Sequence, residues 1–159
     1  MSDRRSSSAK TTAKNAAKAA AKEPFLATMR ELARAYQAFS AYSEAYVRQY
    51  DLTPAQFDVI ATLGNTNGMS MGEIGEKTLI TKGTLTGVID RLEKKQLVQR
   101  AVPEDDRRSV IVQLTTEGET LFEQVFPAHI ADLKQRFERL EASELELLKV
   151  LLSRLRQAF

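Results

Sequence analysis

Thr81-Lys82-Gly83-Thr84-Leu85-Thr86-Gly87-Val88-Ile89-Asp90-Arg91-Leu92 is the stretch on which the fold turns. Leu85, Val88, Ile89 and Leu92 recur at the spacing of a helix that buries one face. The opposite face carries Lys82, Gly83, Thr84, Thr86, Gly87, Asp90, Arg91 and Lys94, and Thr81 stands where an N-cap belongs. Just before it, Ser70-Met71-Gly72-Glu73 is a capping box that starts a shorter helix through Ile74 to about Lys77. Just after it, residues 97–102 and 109–114 alternate as hairpin strands, with Val110, Val112 and Leu114 on one face. Their tip is the charged run Pro103-Glu104-Asp105-Asp106-Arg107-Arg108. A short helix, a polar-fronted helix and a basic hairpin in that order make a winged helix-turn-helix with a two-stranded β wing, in a mainly α chain.

The flanks extend this head. Phe25, Met29, Leu32, Tyr36, Phe39, Ser43, Tyr46 and Tyr50 are spaced four and three apart, which predicts one long helix over residues 24–50. Thr53-Pro54-Ala55-Gln56 is a second capping box, with proline at the first helical position. It opens a helix bearing Phe57, Ile60 and Leu63 that ends at Gly64, before the turn Asn65-Thr66-Asn67-Gly68. A further helix is expected over residues 117–140, kinked at Pro127, with Phe126, Ile130, Leu133, Phe137 and Leu140 along one side. Ser143-Glu144-Leu145-Glu146 reads as a third capping box ahead of Leu148, Leu151, Leu152, Leu155 and Phe159. These stripes offer more apolar face than one small head covers, so residues 24–50 and 117–159 are expected to join two copies as a homodimer. The head is residues 53–115, and the whole domain residues 24–159.

The chain has 159 residues, 43% of them hydrophobic, enough for one domain with a real core. It has no cysteine, which excludes disulfides and thiolate metal sites. No apolar run reaches membrane-spanning length and no signal core precedes the domain, so a cytoplasmic protein is expected, without a membrane partner. Net charge is only +2, but residues 1–23 alone carry +4 and the rest −2. Residues 81–108 hold seven bases against five acids. Positive charge on a tail and on the reading head suits a polyanionic partner. Residues 1–23 are low-complexity, mostly Ser, Ala, Lys and Thr, with no aliphatic larger than alanine after Met1, and are expected to be a disordered basic tail. A basic arm touching phosphates, its Ala-Lys repeat turning helical on the duplex, is the functional alternative.

A helix that enters the major groove needs short polar and basic side chains at its N-terminal end. Thr81, Lys82, Thr84 and Thr86 meet that need, with Arg91 further along. Gly83 and Gly87 permit close approach to a backbone at a helix-propensity cost of about 1 kcal/mol each. In the wing, Asp106 and Arg108 lie on one side of an extended strand, where carboxylate and guanidinium can pair. Arg107 and Arg108 are therefore candidate double-stranded DNA contacts, and Asp106 a brace for the wing; arginine suits a narrow minor groove.

At these residues the chain resembles the MarR family of transcriptional regulators. The resemblance covers residues 25–155 and is carried by Leu52-Thr53-Pro54-Ala55-Gln56-Phe57, by Asp90-Arg91-Leu92-Glu93-Lys94-Lys95, and by Asp106-Arg107-Arg108 followed by Val112-Gln113-Leu114-Thr115-Thr116-Glu117-Gly118. It implies an obligate homodimer, one recognition helix per protomer, a palindromic operator, and Arg108 in the minor groove braced by Asp106. One departure is Gln96, where the family often has glycine. The resemblance also implies release from DNA by a small aromatic or anionic ligand, such as an aromatic carboxylate. Arg30, Arg34, Tyr36, Phe39, Tyr42, Tyr46, Phe57 and His129 are the candidate lining. Within the family the chain is similar to regulators of nicotinate degradation, though no particular residue carries that similarity.

An enzyme is not expected. His129 is the only histidine, so a metal cluster or a histidine-based triad lacks partners, and no phosphate-cradling glycine loop is present. No cofactor or metal is expected. The alternative from another class is a winged-helix protein-interaction module without sequence-specific DNA binding.

Overall fold

A computed structural model describes residues 14–78, 80–102 and 110–159. The elements are α1 (Phe25–Arg48), α2 (Pro54–Leu63), β1 (Met69–Ser70), α3 (Met71–Lys77), α4 (Lys82–Lys94), β2 (Val98–Ala101), β3 (Ile111–Leu114), α5 (Thr116–Phe137) and α6 (Ala142–Gln157). The chain divides into two units, Met1–Ala45 and Tyr46–Phe159.

The first unit is helical. Residues 14–20 form a short helix, and residues 14–23 are all exposed. The expectation of a tail without structure therefore differs from the structure over this stretch. Alanine and lysine are strong helix formers, and they hold a turn even where nothing is buried. Residues 1–13 lie outside the described residues. Most of α1 follows, and Phe25, Met29, Leu32, Tyr36 and Phe39 all stand exposed along it.

The second unit holds the head. Two of the three expected capping boxes, those of the head, form. The Thr53 amide donates to Gln56 Oε1 at 3.0 Å and the Gln56 amide to Thr53 Oγ1 at 3.3 Å, starting α2. The Ser70 amide donates to Glu73 Oε2 at 2.8 Å and the Glu73 amide to Ser70 Oγ at 3.3 Å, starting α3. These bonds hold the Glu73 carboxyl below its ordinary pKa, the Ser70 amide contributing most. Helix α2 packs on α3, α4, α5 and β3. Val59, Ile60, Leu63, Ile74, Leu85, Val88, Ile89, Leu92 and Val112 are closed off from solvent at the centre of this core.

The sheet differs from the expected two strands. It has three, in the order β1-β3-β2, all antiparallel. Met69 pairs with Val112 and Ser70 with Ile111, ahead of the α3 cap. A two-residue strand leaves too short an alternation to register as periodicity. Val98 pairs with Leu114 and Ala101 with Ile111. Val112 and Leu114 face the core as expected, but Val110 stands 49% exposed because β3 begins at Ile111, two residues later than expected.

Helix α5 starts at Thr116, with Pro127 inside it, and ends at Phe137, earlier than expected. Helix α6 also starts early. Its N-cap is Glu141, and the Glu141 amide donates to Glu144 Oε2 at 2.8 Å, so the box expected at Ser143 and Glu146 is not the one that opens the helix. Leu147, Leu148, Leu151, Leu152 and Leu155 remain exposed on α6.

Candidate nucleic-acid interface

Helix α4 is built from two opposed faces. Leu85, Val88, Ile89 and Leu92 are at most 1% exposed, and this apolar lock fixes the rotation of the helix about its axis. Its other side is thereby turned outward: Gly83, Thr84, Thr86, Asp90, Arg91 and Lys94 are all exposed. Lys82 is the first residue of the helix. Thr81 occupies the N-cap with extended backbone, but its side chain makes no capping bond. Its Oγ1 donates to Thr84 Oγ1 at 3.1 Å instead. The expected side-chain cap is therefore not made: the Thr81 hydroxyl covers none of the first amides of α4, and only its carbonyl accepts, from the Thr84 and Leu85 amides at 2.9 and 3.0 Å.

The two glycines of this face are not equivalent. A Cβ on Gly83 would meet nothing within 4 Å, so packing within the chain does not require glycine there. A Cβ on Gly87 would lie 3.5 Å from Nη1 of Arg91, an ordinary contact. Both positions accept a side chain in isolation. The cost of glycine in a helix is therefore not offset by packing at either position.

Sequence reasoning missed the charges that tie α4 to the wing. Arg100 on β2 donates through Nη2 to Asp90 Oδ1 at 2.8 Å. Its Nη1 pairs with Glu93 Oε2, and its backbone amide donates to Glu93 Oε1 at 3.2 Å. The Asp90 hydrogen bond, more than any other influence, raises the pKa of the guanidinium. Lys95 is likewise occupied, its Nζ lying 2.7 Å from Asp51 Oδ2. Of Lys94 and Lys95, only Lys94 is left exposed on the helix end.

The passage from wing to α5 is tightly made. Thr115 Oγ1 donates to the Gln96 carbonyl at 2.6 Å and accepts from the Gly118 amide at 3.1 Å. A Cβ on Gly118 would lie 2.0 Å from the Leu97 carbonyl oxygen, so only glycine fits there. Gln96 itself has φ +58°, the left-handed region where glycine is the usual occupant. Asp106, Arg107 and Arg108, the expected wing contacts and brace, lie outside the described residues.

The candidate ligand residues separate. Tyr46, Phe57 and His129 come together: the imidazole lies 4.4 Å from the Tyr46 ring and 5.2 Å, edge-on, from Phe57. Phe126 stacks on Phe57 at 6.4 Å and on Phe122 at 5.0 Å. His129 is 2% exposed, and burial pushes its pKa below the ordinary value. Burial foremost, and then Tyr50, raise the Tyr46 phenol. Arg30, Arg34, Tyr36, Phe39 and Tyr42 belong to the first unit. There Arg34 pairs with Glu31 at 2.6 Å, Arg30, Tyr36 and Phe39 are exposed, and Tyr42 is half-buried. Among the described residues no group of acids or histidines is placed to hold a metal ion, and no helix is long and apolar enough to cross a membrane.

The MarR family model matches residues 52–110, which contain α2, β1, α3, α4 and β2 and end just before β3. The HTH-type transcriptional regulator MhqR of Bacillus subtilis is 31% identical over 123 residues, 77% of this chain and 85% of that protein. The solved structure of Bordetella bronchiseptica BpsR, whose DNA binding is regulated by 6-hydroxynicotinic acid, is 31% identical. It superposes with a TM-score of 0.69 over 80% of this chain and 91% of its own. NadR, solved in complex with 4-hydroxyphenylacetate, is 30% identical with a TM-score of 0.65, over 79% and 89% of the two chains. The chain belongs to the MarR family: it is a DNA-binding transcriptional regulator with a winged helix-turn-helix, not an enzyme.

Proposed function

We propose that this regulator acts as a homodimeric repressor that leaves a palindromic operator when a small aromatic carboxylate binds. The single observation carrying the DNA-contact part is α4 itself. Four buried aliphatics turn Gly83, Thr84, Thr86 and Arg91 outward, and no Thr81 side-chain cap covers the start of the helix. In this reading Thr81, Lys82, Thr84, Thr86 and Arg91 meet base edges and phosphates, and Gly83 and Gly87 let the duplex approach closely. Arg107 and Arg108 enter the neighbouring minor groove, with Asp106 directing Arg108.

The dimer is supported by the exposed apolar stripes of α1 and α6, in which Phe25 is 60% and Leu151 49% open to solvent. A two-fold dimer sets its two reading helices about 34 Å apart, one turn of duplex, so the operator repeats with the same symmetry. The effector class is supported by the named ligands of BpsR and NadR, both small aromatic acids. Tyr46 and Phe57 beside His129 supply an aromatic wall on this chain. The effector acts by favouring a head spacing that does not match the operator.

Genomic fragments captured on the purified protein, with and without 6-hydroxynicotinate or 4-hydroxyphenylacetate, test the reading. Recovery of fragments sharing an inverted repeat, and their release by an acid, is expected. Arg108→Ala should abolish capture while sedimentation still reports a dimer. Capture without any shared sequence, or a monomer in the centrifuge, overturns it. A partner protein recovered in place of DNA would favour the protein-interaction module.

A further inference from the structure

The short helix at the start of the described chain does nothing for the fold. Residues 14–23 are exposed throughout, and no apolar side chain larger than alanine stands on the helix to be buried. It is nevertheless formed, and its last turn closes with the Ala21 amide donating to the Ala17 carbonyl and the Lys22 amide to that of Ala19, each at 3.0 Å. Lys14 and Lys18 lie one turn apart on the helix, about 6 Å along its axis, and Lys22 follows four residues on in the turn that closes it. The three make one run of charge at four-residue spacing. Like charges at this spacing repel, so the arrangement opposes the helix that displays it. A polyanion laid along the run removes that repulsion.

We infer that the lysine-edged helix of residues 14–20, continued through Lys22, is a second and sequence-independent binding site for duplex DNA. The inference rests on the DNA-binding reading for its partner, and adds a contact separate from α4 and the wing. The chemistry of the segment selects the duplex over other polyanions. A helix that settles on a lipid surface needs bulky apolar residues opposite its lysines, and here that side is alanine and asparagine. A single strand is held by aromatic stacking, and residues 1–24 contain no aromatic. A row of ammonium groups on alanine has what phosphates require and nothing that distinguishes one base from another.

The test uses the full chain and its Lys14→Gln, Lys18→Gln, Lys22→Gln triple variant, which removes charge but keeps good helix formers. Binding to an operator-free duplex is followed by fluorescence anisotropy across a salt series. Each lysine that displaces a counterion contributes about 0.9 to the slope of log affinity against log salt. The triple variant should therefore lose about 2 to 3 from that slope per chain, and bind at least roughly tenfold more weakly near 0.1 M salt, with its preference for specific over random DNA retained. A second variant, Lys18→Ala with Ala20→Lys, keeps the composition but moves one lysine off the edge. It should lose part of the same slope. Unchanged slope in the triple variant overturns the inference, and full slope in the exchanged variant overturns the helical edge. Co-flotation with phosphatidylserine vesicles that the triple variant loses would assign the helix to a membrane and overturn it as well. Failure of the DNA reading looks different: parent and variants would then all lack preference for any captured fragment.

Discussion

Arg100 on β2 holds Asp90 and Glu93 of α4 together, so one guanidinium ties helix and strand at a set angle. The three side chains are about one-third to one-half exposed, so solvent screens the pairing. Arg100→Gln should cost less than about 1 kcal/mol of stability. In the proposed reading, where helix and wing engage adjacent grooves together, operator affinity should fall roughly fivefold. Anisotropy titrations of Arg100→Gln, Asp90→Ala and the double variant check this. The double variant should bind no worse than the weaker single one; strictly additive losses would show that the pair is not a unit.

Gly118→Ala should destabilise the head by about 3 kcal/mol, since the new methyl meets a backbone carbonyl that cannot rotate away. A drop of several degrees in Tm by circular dichroism is expected. A variant with parental Tm would mean that β2 and α5 are less tightly joined than the close approach at Leu97 requires.

Gln96→Gly should act the other way. A non-glycine residue at φ +58° carries about 1–2 kcal/mol of strain, partly offset by the extra freedom glycine has when unfolded. The net gain should be about 0.5–1 kcal/mol in urea midpoint measurements. A loss of stability would show that the Gln96 side chain has a role that outweighs the strain.

His129 makes stability depend on pH. Its folded pKa lies below the ordinary value of about 6.5, so the unfolded chain binds the proton more readily. Its stabilising contribution is complete above about pH 6.5 and is lost as pH falls below it toward the depressed folded value. It is the only histidine, so no other imidazole blurs the effect. Urea midpoints between about pH 7.5 and 5.5 should fall in the parent, and fall less in His129→Phe.

What could be read in the sequence depended on how far apart the cooperating residues lie. The caps at Thr53 and Ser70 use partners three residues on, and α4 declares its buried face within eight residues. Thr81 shows the limit of that locality: it takes the N-cap position as its pattern implies, but its hydroxyl bonds Thr84 Oγ1 and caps no amide. At α6 an acid, Glu141, takes the N-cap in place of the serine two residues later, because the turn after α5 ends sooner than the apolar stripe implies. The Arg100 pairs span seven and ten residues across two elements, and Lys95 reaches Asp51 across 44. No periodicity encodes such pairs. The glycine of Leu114-Thr115-Thr116-Glu117-Gly118 was visible as part of a family pattern, but its cause, the Leu97 carbonyl, lies on the far side of the sheet's connection.

The Thr115 junction has a mechanical consequence. One hydroxyl closes β3, starts α5 and grips the Gln96 carbonyl, while Gly118 sits flush against Leu97. The joint has no slack residue to serve as a hinge. Tilt imposed on α5 is therefore delivered whole to the strands of the wing, as a rigid crank transmits rotation, and is not absorbed on the way.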